Sequence, residues 1–147
     1  MAGVAVDRAG AGTDRLTTIE CVSEIPFWKG HGTRNDFILV PDPDGALSLS
    51  AVDVAAMCDR RGGIGADGVL RVVRGSAEPA LAALAPEAEW FMDYRNADGS
   101  LSETCGNGLR VFARYLVDSG LAAPGRLPIG TRGGVVQVDV GVEGDVT

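Results

Sequence analysis

The stretch Asn96-Ala97-Asp98-Gly99-Ser100-Leu101-Ser102-Glu103-Thr104-Cys105-Gly106-Asn107-Gly108 holds the densest set of groups able to do chemistry. It is polar and turn-rich. It opens directly into a segment with one apolar face, Leu109, Phe112, Ala113 and Leu116, which is helical spacing. Cys105 therefore falls at or just before the first turn of a helix. Backbone N–H groups without intrahelical acceptors, together with the positive end of the helix dipole, favour a thiolate there. A free thiol titrates at about 8.5, and a helix N-terminus can lower that value. Gly106 and Gly108 have no side chain to hold a ligand off the backbone, and the same N–H groups suit a carboxylate. One short segment thus offers a proton-transfer thiol and an anion cradle. A second reading fits the residues as well: Cys105 is a small buried side chain, and the glycines only ease a tight loop-to-helix junction.

Other candidates are weaker. Cys58 lies on the apolar face of an earlier helical pattern and reads as core, and Cys21 has no evident partner. The cluster Lys29-Gly30-His31-Gly32-Thr33-Arg34-Asn35-Asp36 holds the only histidine, but a lone histidine is more often structural, and Asn35 and Asp36 equally suit a turn. Gly63-Ile64-Gly65-Ala66-Asp67-Gly68 spells G-x-G-x-x-G. It follows a helix and opens a strand, the reverse of the dinucleotide-binding context, so it reads as a Gly-rich connection.

The elements that must position these groups follow from periodicity. Residues 1–24 read as an extension, ordered only if it adds an edge strand. Phe37-Ile38-Leu39-Val40 is a strand stopped by Pro41-Asp42-Pro43-Asp44-Gly45. Ser50 with Asp53 three positions on is a capping pattern for a helix over Ala51–Arg61, with Arg60 and Arg61 at its negative end and Gly62 and Gly63 as its stop. Val69–Val73 is a strand, 76–88 a loop or short irregular helix, and Trp90–Arg95 a strand ending in the turn Asn96-Ala97-Asp98-Gly99. The second helix runs from about Cys105 to Asp118, stopped by Gly120. Val136, Val138, Val140 and Val142 alternate with smaller or polar residues, a strand with one buried face. Glu143-Gly144-Asp145 then turns the chain, and Val146-Thr147 begins a return strand, so the 147 residues read as a fragment of something longer.

Composition bounds the function classes. The chain is 46% hydrophobic and 22% charged, ordinary for a folded domain. Thirteen Lys plus Arg against 20 Asp plus Glu give a net charge of −7, which argues against nucleic-acid or acidic-membrane partners. No apolar run reaches the length of about 18 residues that suggests a membrane helix, and Met1 to Asp14 does not read as a secretory signal. Three cysteines, one histidine and no C-x-x-C pair leave a disulfide framework and a zinc site without a basis, and a reducing cytoplasm is the expected compartment.

Three segments together resemble one family. Phe27 to Phe37 is similar to the opening segment of diaminopimelate epimerase. Arg60 to Gly68 resembles its Gly-rich second block. Tyr94 to Ser100, continuing through Cys105-Gly106-Asn107-Gly108-Leu109-Arg110, resembles its first catalytic-cysteine signature. The resemblance runs from about Phe27 to the end of the chain. It implies an α+β fold in which a curved mixed sheet, barrel-like, wraps around a central helix as one lobe of a two-lobed enzyme. It also implies inversion of one stereocentre of LL-diaminopimelate to the meso form, in lysine and peptidoglycan precursor synthesis. No cofactor, pyridoxal phosphate or metal is implied. Lys29, the only lysine, is the one candidate for a Schiff base and has no phosphate-binding context. The partners implied are the small amino-acid substrate and, in the full-length enzyme, a second copy as a homodimer.

By the same resemblance Cys105 is one member of a two-cysteine acid/base pair. Gly106 and Asn107 bind the α-carboxylate through backbone groups, Asn35 and Asn96 hydrogen-bond the substrate's polar ends, and Thr104 caps the helix. The expected organisation is an extension over 1–24, an epimerase lobe over 25–128 and the start of a second lobe over 129–147. With one cysteine of the pair, the chain is expected to be inactive alone. The competing readings are a stand-alone binding protein that kept the lobe and lost catalysis, and a related racemase with another amino-acid substrate.

Overall fold

Apolar residues on both faces of the central strands dictate a sheet covered on both sides. The computed structural model, which describes residues 2–5, 24–143 and 145–147, has that arrangement. The strands are β1 (Ala2–Ala5), β2 (Glu24–Gly32), β3 (Asn35–Pro41), β4 (Gly68–Arg74), β5 (Trp90–Asn96), β6 (Gly125–Thr131) and β7 (Gly134–Val140). The helices are α1 (Ala51–Cys58), α2 (Pro79–Leu84) and α3 (Gly106–Asp118). The strands form one sheet in chain order, parallel between β3 and β4 and between β5 and β6, and antiparallel elsewhere. The sheet is open, with β1 and β7 at its edges. This is the α+β architecture expected, a curved mixed sheet around a central helix: α3 packs against every strand from β2 to β7.

Alternation along each strand sorts the core into two sides. Phe37 and Leu39 of β3, Leu70 and Val72 of β4, and Met92 and Tyr94 of β5 face Leu109, Phe112, Ala113 and Leu116 of α3. Ile38, Val40 and Val69 point the other way, onto Val54, Met57 and Cys58 of α1. Val73 and Phe91 pack under Leu81 and Ala85 of α2 and its following turn. Ser50 caps α1 as expected: its Oγ accepts from Asp53 N at 3.1 Å, and Asp53 accepts from Ser50 N at 2.9 Å.

Several expectations are corrected. Helix α1 ends at Cys58, three residues before Arg61. Its last carbonyls are taken by the returning loop, Met57 O by Ile64 N and Gly65 N at 3.0 Å and Cys58 O by Ala66 N at 3.2 Å. Arg60 and Arg61 therefore lie beyond the helix. Strands β2 and β6 are additional to the expected ones. Ile129 of β6, with Val138 and Val140 of β7, packs in the same core as α3. Of the N-terminal extension, Ala2–Ala5 form an edge strand on Glu24–Phe27, while Cys21 and the rest of 6–23 lie outside the described residues. At the other end, Thr147 and Asp139 exchange hydrogen bonds of 2.8 and 3.0 Å, so the return strand begins on β7.

Candidate functional site

The starts of β3, β4 and α3 and the end of β5 meet at one rim of the sheet. The register aligns Phe37 of β3, Gly68 of β4 and Asn96 of β5 in one row. Asn35 lies two residues before Phe37, and Asp67 one before Gly68. A hairpin presents Asn35. Gly32 pairs with Asn35, and the two residues between them, Thr33 and Arg34, both adopt positive φ, 52° and 73°. That turn matches the twist of a hairpin, but it places a β-branched residue in a strained region.

Cys105 is the N-cap of α3, with φ −145° and ψ 120°, and its side chain is half-buried. Thr104 does not cap the helix, and no side chain among the described residues does. The first intrahelical bond runs from Leu109 N to Cys105 O at 2.8 Å, so the N–H groups of Gly106, Asn107 and Gly108 have no acceptor within the helix. Space in front of Gly106 is open: a Cβ built there meets nothing within 4 Å. Gly108 is buried, with Cys105 Cβ 3.5 Å and Phe37 Cζ 3.7 Å from where its own Cβ would sit. Cys105 thus packs against the α3 core while remaining partly exposed. Burial pushes the Tyr94 phenol up, and Cys105 beside it adds to the effect. Cys58, by contrast, is in the core under α1, where burial pushes its thiol up to about 11.

Two expected contact residues meet directly. Asn107 Nδ2 donates to Asn35 Oδ1 at 2.7 Å, and Asn35 Nδ2 donates to Asp67 Oδ2 at 3.2 Å. Asp67 Oδ2 also accepts from Asp36 N at 3.1 Å, and Arg60 Nη2 donates to Asp67 Oδ1 at 3.1 Å. Arg60 grips Asp36 with both terminal nitrogens, at 3.0 and 2.7 Å. That guanidinium, with the Lys29 ammonium at 3.0 Å, holds the Asp36 carboxyl well below the usual carboxylate range. Asn96 stands at the same rim but outside this chain of bonds. Its Nδ2 donates to Ser100 Oγ at 3.0 Å, inside the expected turn, which Gly99 closes with φ 84°. His31 is exposed.

Asp67, Arg60 and Tyr94 are residues of this site that sequence reasoning passed over. The available signal for Asp67 was an acid placed immediately ahead of a strand in a glycine-rich connection. An open groove of about 480 Å³ runs between β2 and α3, lined in part by Trp28, His31, Arg110 and Tyr115. Cys105 is not among its lining residues. Cys105, the uncapped amides of α3 and the Asn35–Asn107 pair belong to the rim and do not line the groove. No group of three or more potential metal-binding side chains occurs among the described residues.

Comparison with known proteins identifies the family. Residues 27–147 match the family model for diaminopimelate epimerase. The chain is 58% identical over 125 residues to the diaminopimelate epimerase of Streptomyces coelicolor, covering 85% of this chain and 43% of that protein. It is 59% identical over 125 residues to that of Thermobifida fusca, covering 82% and 46%. The chain therefore spans less than half the length of these curated relatives. Among solved structures, a Bacillus anthracis phenazine biosynthesis protein of the PhzF family aligns with a TM-score of 0.55 at 22% identity, over 82% of this chain and 37% of that one, a likeness of fold alone. With the family model covering most of its length and the cysteine signature standing at the mouth of α3, the chain belongs to the diaminopimelate epimerase family.

Proposed function

We propose that this chain supplies one lobe of a cofactor-independent epimerase that interconverts LL- and meso-diaminopimelate, a step of lysine and peptidoglycan precursor synthesis in the cytoplasm. The observation that carries the reading is the position of Cys105, a half-exposed thiol at the N-cap of α3 beside three uncapped amides. In the reaction, the Cys105 sulfur as thiolate takes the α-proton, forming S–H as the Cα–H bond breaks. A second thiol on the opposite face gives its proton to the resulting carbanion. The two sulfurs exchange protonation states, and no net oxidation or reduction occurs. Run backwards, Cys105 is the acid.

The α-proton of an amino acid is weakly acidic, so the carbanion needs electrostatic support. The amides of Gly106, Asn107 and Gly108 are held by the helix before any substrate arrives, and they stabilise the α-carboxylate as charge spreads onto it. Asn35 and Asn96 meet the polar ends of the substrate. The opposing thiol, and the wall that shuts water out, come from the length the relatives have beyond this chain, in a protein that works as a homodimer. The 147 residues by themselves are inactive on this reading.

Deuterium exchange at Cα of LL-diaminopimelate in deuterated water is the test. The chain alone is expected to give none. The chain joined to the remaining length of the Streptomyces coelicolor relative is expected to give exchange with epimerisation. Turnover by the isolated chain near that of a full-length relative would overturn the reading.

A further inference from the structure

Hydrogen-bond polarity at the rim is fixed from one end. Asp67 is salt-bridged to Arg60, and a carboxylate offers only acceptors. The atom of Asn35 facing it at 3.2 Å is therefore Nδ2, the donor. That turns Asn35 Oδ1 toward Asn107, and an amide oxygen also only accepts, so Asn107 presents Nδ2 at 2.7 Å. The remaining polar atom of the Asn107 side chain, Oδ1, has no partner among the described residues, and Asn107 itself belongs to the first turn of α3, whose amides are uncapped.

We propose that Asp67 is a positioning residue that sets the Asn35–Asn107 pair so that the site offers an acceptor oxygen next to its carboxylate cradle, selecting ligands that carry an ammonium beside the carboxylate. The inference rests on the α-amino-acid reading above. Reversing the pair places an N–H where the ammonium would sit, and that donor favours a carboxylate without its amino group. Among the described residues Arg60 reaches the pair through Asp67 and Asp36, and the Asp36 N–H donates to the same Asp67 Oδ2 that Asn35 faces. Asp67→Asn keeps the shape and removes the constraint, since an amide can both donate and accept.

Two measurements decide it. In the ¹⁵N-labelled chain, Asp67→Asn is expected to move the side-chain amide resonances of both Asn35 and Asn107 and to leave that of Asn96 in place. An unmoved Asn107 overturns the proposal. In the full-length protein made by joining the chain to the rest of the Streptomyces coelicolor relative, pimelate is used as the probe lacking both amino groups. The ratio of its inhibition constant to KM for diaminopimelate is expected to fall about tenfold in Asp67→Asn and to recover partly in Asp67→Glu. Equal weakening of both ligands, which a purely structural role would give, overturns it. If the joined protein with Asp67 intact shows no exchange, the amino-acid reading is what fails, and the resonances still decide the role of Asp67 in orienting the pair.

Discussion

Asn107 Nδ2 donates to Asn35 Oδ1 at 2.7 Å, tying the first turn of α3 to a hairpin 72 residues earlier in the chain. This bond brings Asn107, two residues after Cys105, to the segment that opens the family match. It also fixes where the helix mouth sits relative to the sheet rim. Strand β2 passes close enough for this only because it carries glycines: a Cβ on Gly30 would lie 2.8 Å from Val111 Cγ1, and one on Gly32 would lie 3.1 Å from Asn107 O.

The two described cysteines should react differently. Cys58 is buried with its thiol pushed up to about 11, while Cys105 is half-exposed. Iodoacetamide at neutral pH is expected to modify Cys105 in the native chain, and Cys58 only after unfolding, as peptide mass spectrometry will show. Iodoacetate carries a carboxylate. It should be favoured at Cys105 relative to its ratio with iodoacetamide for free cysteine, because the α3 amides attract it.

Thr33 and Arg34 hold positive φ in the turn that presents Asn35. Replacing them together, Thr33→Asn with Arg34→Gly, supplies the residues this turn prefers. Urea unfolding should show a gain of about 1 kcal/mol, and no gain would mean that the turn is unstrained.

Asp93 is 1% exposed and faces Arg71, Arg95 and Arg132, three cations that join β4, β5 and the β6–β7 turn. Asp93→Ala leaves those charges without their shared partner. A loss of about 3–5 kcal/mol is expected, read as a large drop in the unfolding midpoint. A loss below about 1 kcal/mol would match an exposed pair instead.

Arg60 and Lys29 lower the Asp36 carboxyl, so its folded value lies below the unfolded value of about 3.9. A group depressed in this way contributes stability that is full above the unfolded value and is lost as pH falls through the folded one. The advantage of the wild-type chain over Asp36→Asn should therefore hold at neutral pH and shrink below about pH 4. An advantage unchanged down to pH 2 would contradict the ion pair.

Much of this architecture is legible in the residues. The apolar run at Phe37–Val40, the Ser50–Asp53 cap and the i, i+3, i+4, i+7 face of α3 each signal one element through one local rule, and each forms where that rule places it. Strand β2 is hidden because its glycines answer to the close approach of α3, which no local pattern reports. Strand β6 is hidden by Pro128 and Gly130, residues that count against strands. Gly130 is required there, since its Cβ would lie 2.8 Å from Ala85 Cβ. Helix α1 reads too long because Arg60 looks like a helix-end cation, yet it is spent on Asp36 and Asp67, a contact 24 residues away. Cys105 and Asn107 stand out from their local setting. Asp67 does not, because its role exists only once the sheet brings it beside Asn35.

In the proposed reaction the Cys105 sulfur moves the α-proton. The most direct test of this step compares Cys105→Ala with Cys58→Ala in the chain joined to the remaining length of the Streptomyces coelicolor relative, following deuterium incorporation at Cα of LL-diaminopimelate. Cys58→Ala is expected to keep exchange close to the parent rate, and Cys105→Ala to lose about 10³-fold or more. Exchange that survives in Cys105→Ala at the parent rate would mean that another group moves the proton.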